Sequence, residues 1–134
     1  MSEKQSIDAE ALHGKTVALT AMYLKRRGFE VVGSGLRRNG FPFDIVARDG
    51  KETAFVEVAV GDRWDAFLER DEGSAREMRE AAAGYAKENG LADVPRGGMR
   101  IDLAHIKLVG EDNAFLRYHE DAYGSVLGER SRRG

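Results

Sequence analysis

Cysteine is absent from this 134-residue chain, which excludes disulfide staples and thiolate metal sites. Proline occurs only twice, at Pro42 and Pro95, and tryptophan once, at Trp64. No apolar run approaches membrane-spanning length, and MSEKQSIDAEA at the N-terminus lacks the apolar core of a secretory signal. No membrane partner is therefore expected, and the expected location is cytoplasmic. There is no excess of basic charge: 21 Lys and Arg stand against 23 Asp and Glu, for a net charge of −2. Nucleic-acid-binding domains usually carry such an excess, so any affinity of that kind must come from local patches. No phosphate loop, no Gly-x-Ser-x-Gly elbow and no dinucleotide fingerprint is present; Gly33-Ser34-Gly35 is only a flexible strand end. The three histidines, His13, His105 and His119, are scattered and never show the i, i+4 spacing of a helical zinc site. There is no internal repeat and no low-complexity segment.

What is present fits one domain able to bury a real core. The pattern predicts a domain over 8–124, with 1–7 and 125–134 as flexible termini. Asp8 reads as the N-cap of a helix running to about Arg27, with Gly28 as its stop. Gly14, Val17, Ala18, Ala21 and Leu24 share one face of it. Phe29 to Gly35 reads as a first strand, and Asn39-Gly40 as a turn. Trp64, Phe67 and Leu68 suggest a short helical lid on the core. Ser74-Ala75-Arg76-Glu77 has capping-box spacing, which predicts a second helix from Ala75 with Met78, Ala82 and Tyr85 as its apolar stripe and Gly90 as its stop. After a loop at Pro95–Gly98, strands are predicted from Met99 to Leu108 and from Ala114 to Tyr118, with a turn over 110–113. The basic tail GERSRRG is too polar to fold alone.

The most informative stretch is FPFDIVARDGKETAFVEVAV, from Phe41 to Val60. It reads as a hairpin turning at Asp49-Gly50, a strong type I′ signal. In that register Asp44 faces Phe55 and Pro42 faces Glu57. Phe43, Ile45, Ala47, Ala54, Val56, Val58 and Val60 line one wholly apolar face. Asp44, Val46, Phe55, Glu57 and Ala59 line the other. Asp44 and Glu57 would then lie diagonally across the hairpin, about 7–8 Å apart at Cβ, within reach of one ion. Oxygen-only sites of this kind suit Mg²⁺, which fills its remaining positions with water or phosphate. The competing reading is that Asp44 starts a strand and Glu57 is a paired acid. Arg37 and Arg38 would stand near the mouth of this face, where arginine forks match phosphate oxygens; the alternative is a solvated basic loop. Arg63, just after the hairpin, is a third candidate for nucleic-acid contact.

These residues resemble the restriction-endonuclease-like (PD-(D/E)XK) nuclease core, and more closely the bacterial YraN-like family, also called UPF0102. The family pattern has a Gly-Glu-Ile-Asp-Leu-Ile strand, a turn, then Phe-Val-Glu-Val-Lys. Here Phe41-Pro42-Phe43-Asp44-Ile45-Val46 and Phe55-Val56-Glu57-Val58-Ala59 stand in those places. Gly14 and Tyr23-Leu24 match the family's first helix, Met99–Leu103 its Arg-Phe-Asp-Val-Val strand, and Tyr118–Tyr123 its closing His-Ile-x-Asn-Ala-Phe. The resemblance implies an α/β fold: a central mixed sheet of four to five strands flanked by helices, in the order α-β-β-β-α-β-β. It implies metal-dependent cleavage of DNA or RNA with Asp44 and Glu57 as metal ligands. Three family residues are missing, however. Pro42 and Ala18 stand where the family has acids, and Ala59 stands where it has the motif Lys. Three expectations follow: a nuclease fold with impaired catalysis that still binds nucleic acid; an active Mg²⁺-dependent endonuclease in which Lys15 replaces the lost lysine; or an interaction module that touches no nucleic acid.

Overall fold

The computed structural model describes residues 2–38, 40–61, 72–91, 98–110 and 113–122. Among the described residues, seven elements follow one another: α1 (Ser2–Arg26), β1 (Glu30–Ser34), β2 (Ile45–Asp49), β3 (Glu52–Val60), α2 (Glu72–Glu88), β4 (Met99–Val109) and β5 (Asn113–His119). The order is the expected α-β-β-β-α-β-β. The strands form one mixed five-stranded sheet in the order β1-β2-β3-β4-β5. All neighbours are antiparallel except β3 and β4, which are parallel. A parallel pair needs a crossover, and α2 lies within it.

Alternation along the strands gives the sheet two apolar faces. Ile45, Ala47, Ala54, Val56, Val58, Ala104 and Ile106 pack with Val17 and Leu24 of α1 and with Phe29. Val46, Phe55 and Ile101 pack with Met78 and Ala82 of α2. Burial on both faces explains why β3 is apolar almost throughout rather than alternating. α1 also buries Thr16 and Thr20, whose hydroxyls donate to the carbonyls of His13 and Thr16, both at 2.8 Å. That satisfies the polar atoms inside the helix itself. Val17 and Leu24 face the core as expected, but Gly14 and Ala18 are exposed.

Several boundaries differ from expectation. α1 begins at Ser2 rather than Asp8, because Glu, Lys and Gln are good helix formers and nothing before Asp8 breaks the helix. α2 begins at Glu72, ahead of the Ser74 capping box. The hairpin pairs Ile45 with Val56, Arg48 with Thr53 and Asp49 with Glu52, so its loop is Gly50-Lys51 rather than Asp49-Gly50. Gly50 has φ 65°, while Asp121 is the one described non-glycine residue with positive φ. This matches a type II′ turn, which needs glycine only at the first central position. Moving the turn by one residue shifts the pairing by two, so every paired side chain keeps its face.

Phe43 does not keep its expected face. It packs in the α2 cluster beside Val46 and Phe55, with its ring 5.5 Å from that of Phe55. The chain bends at Asp44, just before β2, and the Asp44 carboxylate accepts the amide of Val58 at 2.8 Å. A side chain thus takes a place that a strand carbonyl would otherwise fill, and the alternation breaks there. The expected Asn39-Gly40 turn falls partly, and Arg63, Trp64, Phe67, Leu68, Pro95 and the tail from Tyr123 onward fall wholly, outside the described residues.

Candidate functional site

Asp44 is the hub of the site. It is 1 % exposed, and three groups converge on its carboxylate. Arg37, in the segment between β1 and β2, lays its guanidinium along it: Nε donates to Oδ1 at 3.2 Å and Nη2 to Oδ2 at 3.0 Å. His13, on α1, contacts Oδ1 through Nε2 at 2.7 Å. A carboxylate can only accept, so Nε2 carries the proton. The Val58 amide supplies the third contact. Burial by itself would push the Asp44 carboxyl up. The hydrogen bonds from Arg37, His13 and Val58 outweigh it and hold the group below the usual carboxylate range.

The backbone fixes this arrangement. Leu36 N donates to Asp44 O at 3.1 Å, and Asp44 N to Val56 O at 2.8 Å, so the segment carrying Arg37 is tied to the start of β2 and to β3. Glu57, on β3, is 4 % exposed, and its Oε2 lies 3.8 Å from Arg37 Nη2. One guanidinium therefore bridges both candidate carboxylates. Above it opens a cleft of about 340 Å³, walled by His13, Gly14 and Ala18 on one side and by Ser34, Gly35 and Arg37 on the other. A Cβ at Gly14 would meet nothing within 4 Å, so the helix wall stands clear of the opposite side.

The structure thus joins Asp44, Glu57 and Arg37. Arg38 is nearby but exposed, with Nη2 donating to Gly35 O at 3.3 Å. Lys15 is exposed and does not line the cleft, so the described geometry gives it no part in the site. Ala18, where the resemblance implies an acid, does line it. His13 was not singled out by the sequence. The one available signal was its place a single helical turn before the buried Val17; its partner Asp44 lies 31 residues away. The donor set does not fit Mg²⁺ as it stands, because both Asp44 oxygens are occupied by Arg37, His13 and Val58. Among the described residues no group of three or more His, Asp or Glu side chains is arranged to hold a metal.

A second polar cluster lies at the far end of the same sheet. Arg100, 4 % exposed, contacts Asp102 at 3.1 Å, Asp49 at 3.1 Å and Glu52 at 2.6 Å. Asp102 also accepts the Tyr118 hydroxyl at 2.6 Å and the Asp121 amide at 2.8 Å. Burial pushes the Asp102 carboxyl up, and burial beside Asp102 pushes the Tyr118 hydroxyl well above the usual phenol range. The cluster joins β4 to the β2–β3 turn and to the end of β5. It is a structural rivet.

No family model matches the chain. Curated relatives do. A UPF0102 protein of Thermotoga neapolitana is 34 % identical over 96 residues, covering 71 % of this chain and 86 % of the relative. The chain belongs to the UPF0102 family. Another UPF0102 protein, of Thermotoga maritima, is 33 % identical over 96 residues, covering 71 % of this chain and 85 % of its own. One of Geobacter sulfurreducens is 29 % identical over 109 residues, covering 78 % and 82 %. In this UPF0102 protein Asp44 sits against Arg37 and His13, and Glu57 against Arg37. Among its described residues no helix is long and apolar enough to cross a membrane.

Proposed function

We propose that this UPF0102 protein is a restriction-endonuclease-like domain that contacts DNA or RNA at the α1–Arg37 cleft without hydrolysing it by the metal-dependent route. The observation that carries this reading is the Arg37 guanidinium, which bridges Asp44 and Glu57 where a divalent ion would have to stand. Hydrolysis of a phosphodiester in such a site needs an ion to lower the pKa of the attacking water and a charged donor to stabilise the phosphate. Asp44 offers no unused oxygen, and Ala59 carries no charge. Loss of one preorganised donor typically costs about 10²–10³ in rate, and several are missing here.

Binding remains open to the chain. Arg37 and Arg38 stand at the rim with exposed side chains, and arginine forks suit phosphate oxygens. Residence in the cytoplasm, where cysteine-free composition carries no penalty and nucleic acid is abundant, belongs to the same proposal. Two measurements test it. Purified protein with Mg²⁺ or Mn²⁺ should show no more turnover of single-stranded, duplex or branched substrates than Glu57→Ala does. Cleavage that disappears in Glu57→Ala would overturn the non-hydrolytic reading. Oligonucleotide binding should weaken with salt, and Arg38→Ala should lower both the affinity and the salt slope, the slope by about one. Binding absent at low salt would favour the interaction-module reading instead.

A further inference from the structure

The sheet ends differently at its two edges. β1 is five residues long, is interrupted by a bulge between Val31 and Gly33, and begins with Glu30. Bulges, charges and shortness are the usual devices that keep an edge from pairing with another chain. β5 has none of the first and little of the others. It runs unbroken for seven residues, Asn113–His119, without proline or glycine, and Arg117 is its one permanently charged side chain. Its inner edge pairs with β4 throughout, and no described strand pairs with its outer edge. Phe115 projects from it 62 % exposed, the most exposed large apolar side chain among the described residues.

We propose that the outer edge of β5 pairs antiparallel with β5 of a second copy of this chain, across a two-fold axis at Leu116. The sequence of the strand is complementary to itself in that register. Leu116 opposes Leu116, Ala114 opposes Tyr118 and Asn113 opposes His119. Phe115 opposes Arg117, twice over, so each exposed ring meets a guanidinium rather than another exposed ring. Directly opposed side chains on one sheet face interact, and a guanidinium over an aromatic face is favourable. The two arginines, placed either side of the axis, avoid opposing each other. A two-fold contact closes on itself, so pairing stops at the dimer with a continuous ten-stranded sheet. The α1–Arg37 cleft lies by the β1–β2 edge and stays open, so this inference stands apart from the proposed function.

The test uses the full chain. Sedimentation velocity should give twice the 14.8 kDa chain mass. Phe115→Asp, at a mostly exposed position, should keep the circular dichroism of the fold and weaken the dimer at least about tenfold. Because the chain has no cysteine, a single Leu116→Cys can report the axis. Its two Cβ atoms would lie about 4.5–5.5 Å apart, so mild oxidation should link the dimer. Asn113→Cys, near the strand end and far from its own copy, should not link. A monomeric wild type, including one whose edge accepts a peptide of another protein, overturns the proposal. So does a dimer that resists Phe115→Asp and fails to cross-link through Leu116→Cys.

Discussion

Asp44 shows how one buried carboxylate can decide what a cleft can do. It binds Arg37, His13 and the Val58 amide at once, and its carboxyl lies below the ordinary range as a result. A depressed carboxyl stabilises the fold above the unfolded value of about 3.9, and that contribution disappears as pH falls through the folded value. Asp44→Asn should therefore cost about 1–3 kcal/mol at neutral pH, and the gap from wild type should close in acid. Urea denaturation of both proteins across that range measures it; a gap that persists at the lowest pH would mean that shape rather than charge matters at this position. Arg37 leads to a second expectation. Wild type should bind Mn²⁺ weakly by titration calorimetry, and Arg37→Ala should bind it more tightly, because the competing cation between Asp44 and Glu57 is removed. Equal or weaker binding by the variant would show that the guanidinium does not occupy the ion's place. At the opposite end of the sheet, Asp102→Asn weakens one of the carboxylate contacts of buried Arg100, leaving Asp49 and Glu52, and should cost about 1–3 kcal/mol. Replacing both, by Arg100→Met with Asp102→Leu, should cost less than the sum of the two single changes, as a double-mutant cycle would report.

Among the elements, the β2–β3 hairpin shows what a sequence can and cannot reveal. Alternation from Ile45 to Arg48 and from Thr53 to Val58 was legible, because a two-residue change of pairing leaves side chains on their faces. The turn itself was not, since Asp-Gly signals a type I′ loop while the chain uses Gly50 at the first position of a II′ loop. Phe43 was misplaced because alternation says nothing of a side chain that leaves the strand to bond the neighbouring backbone, as Asp44 does. Helix ends were legible where glycine closes them: Gly28 and Gly90 both have positive φ. Helix starts were not, because good helix formers ahead of a capping residue let the helix run past it. The His13–Asp44 contact and the Arg100 cluster join positions from separate elements, which spacing along one element cannot reveal. The turn supplies a test. Gly50→Ala forces a Cβ into the left-handed region and should destabilise the protein by roughly 1–2 kcal/mol, while Gly50→Asn should cost less. Equal losses for the two would point away from backbone strain.

At the scale of the whole molecule, the parallel pair β3–β4 has a consequence for how the chain is born. β1, β2 and β3 are joined by short local connections, but the other neighbour of β3 is β4, which ends only at Val109. A ribosome adding about 5–20 residues per second needs roughly 2.5–10 s to make the stretch from Gly61 to Val109. During that interval Val56 and Val58 belong to a strand with one side unpaired, on a chain still attached to its template. The emerging protein therefore offers a temporary template for mispairing at the position that later becomes the centre of the finished sheet. Arrested nascent chains ending before Met99 should accordingly bind holdase chaperones through the β2–β3 segment, and chains long enough to expose Val109 should release them.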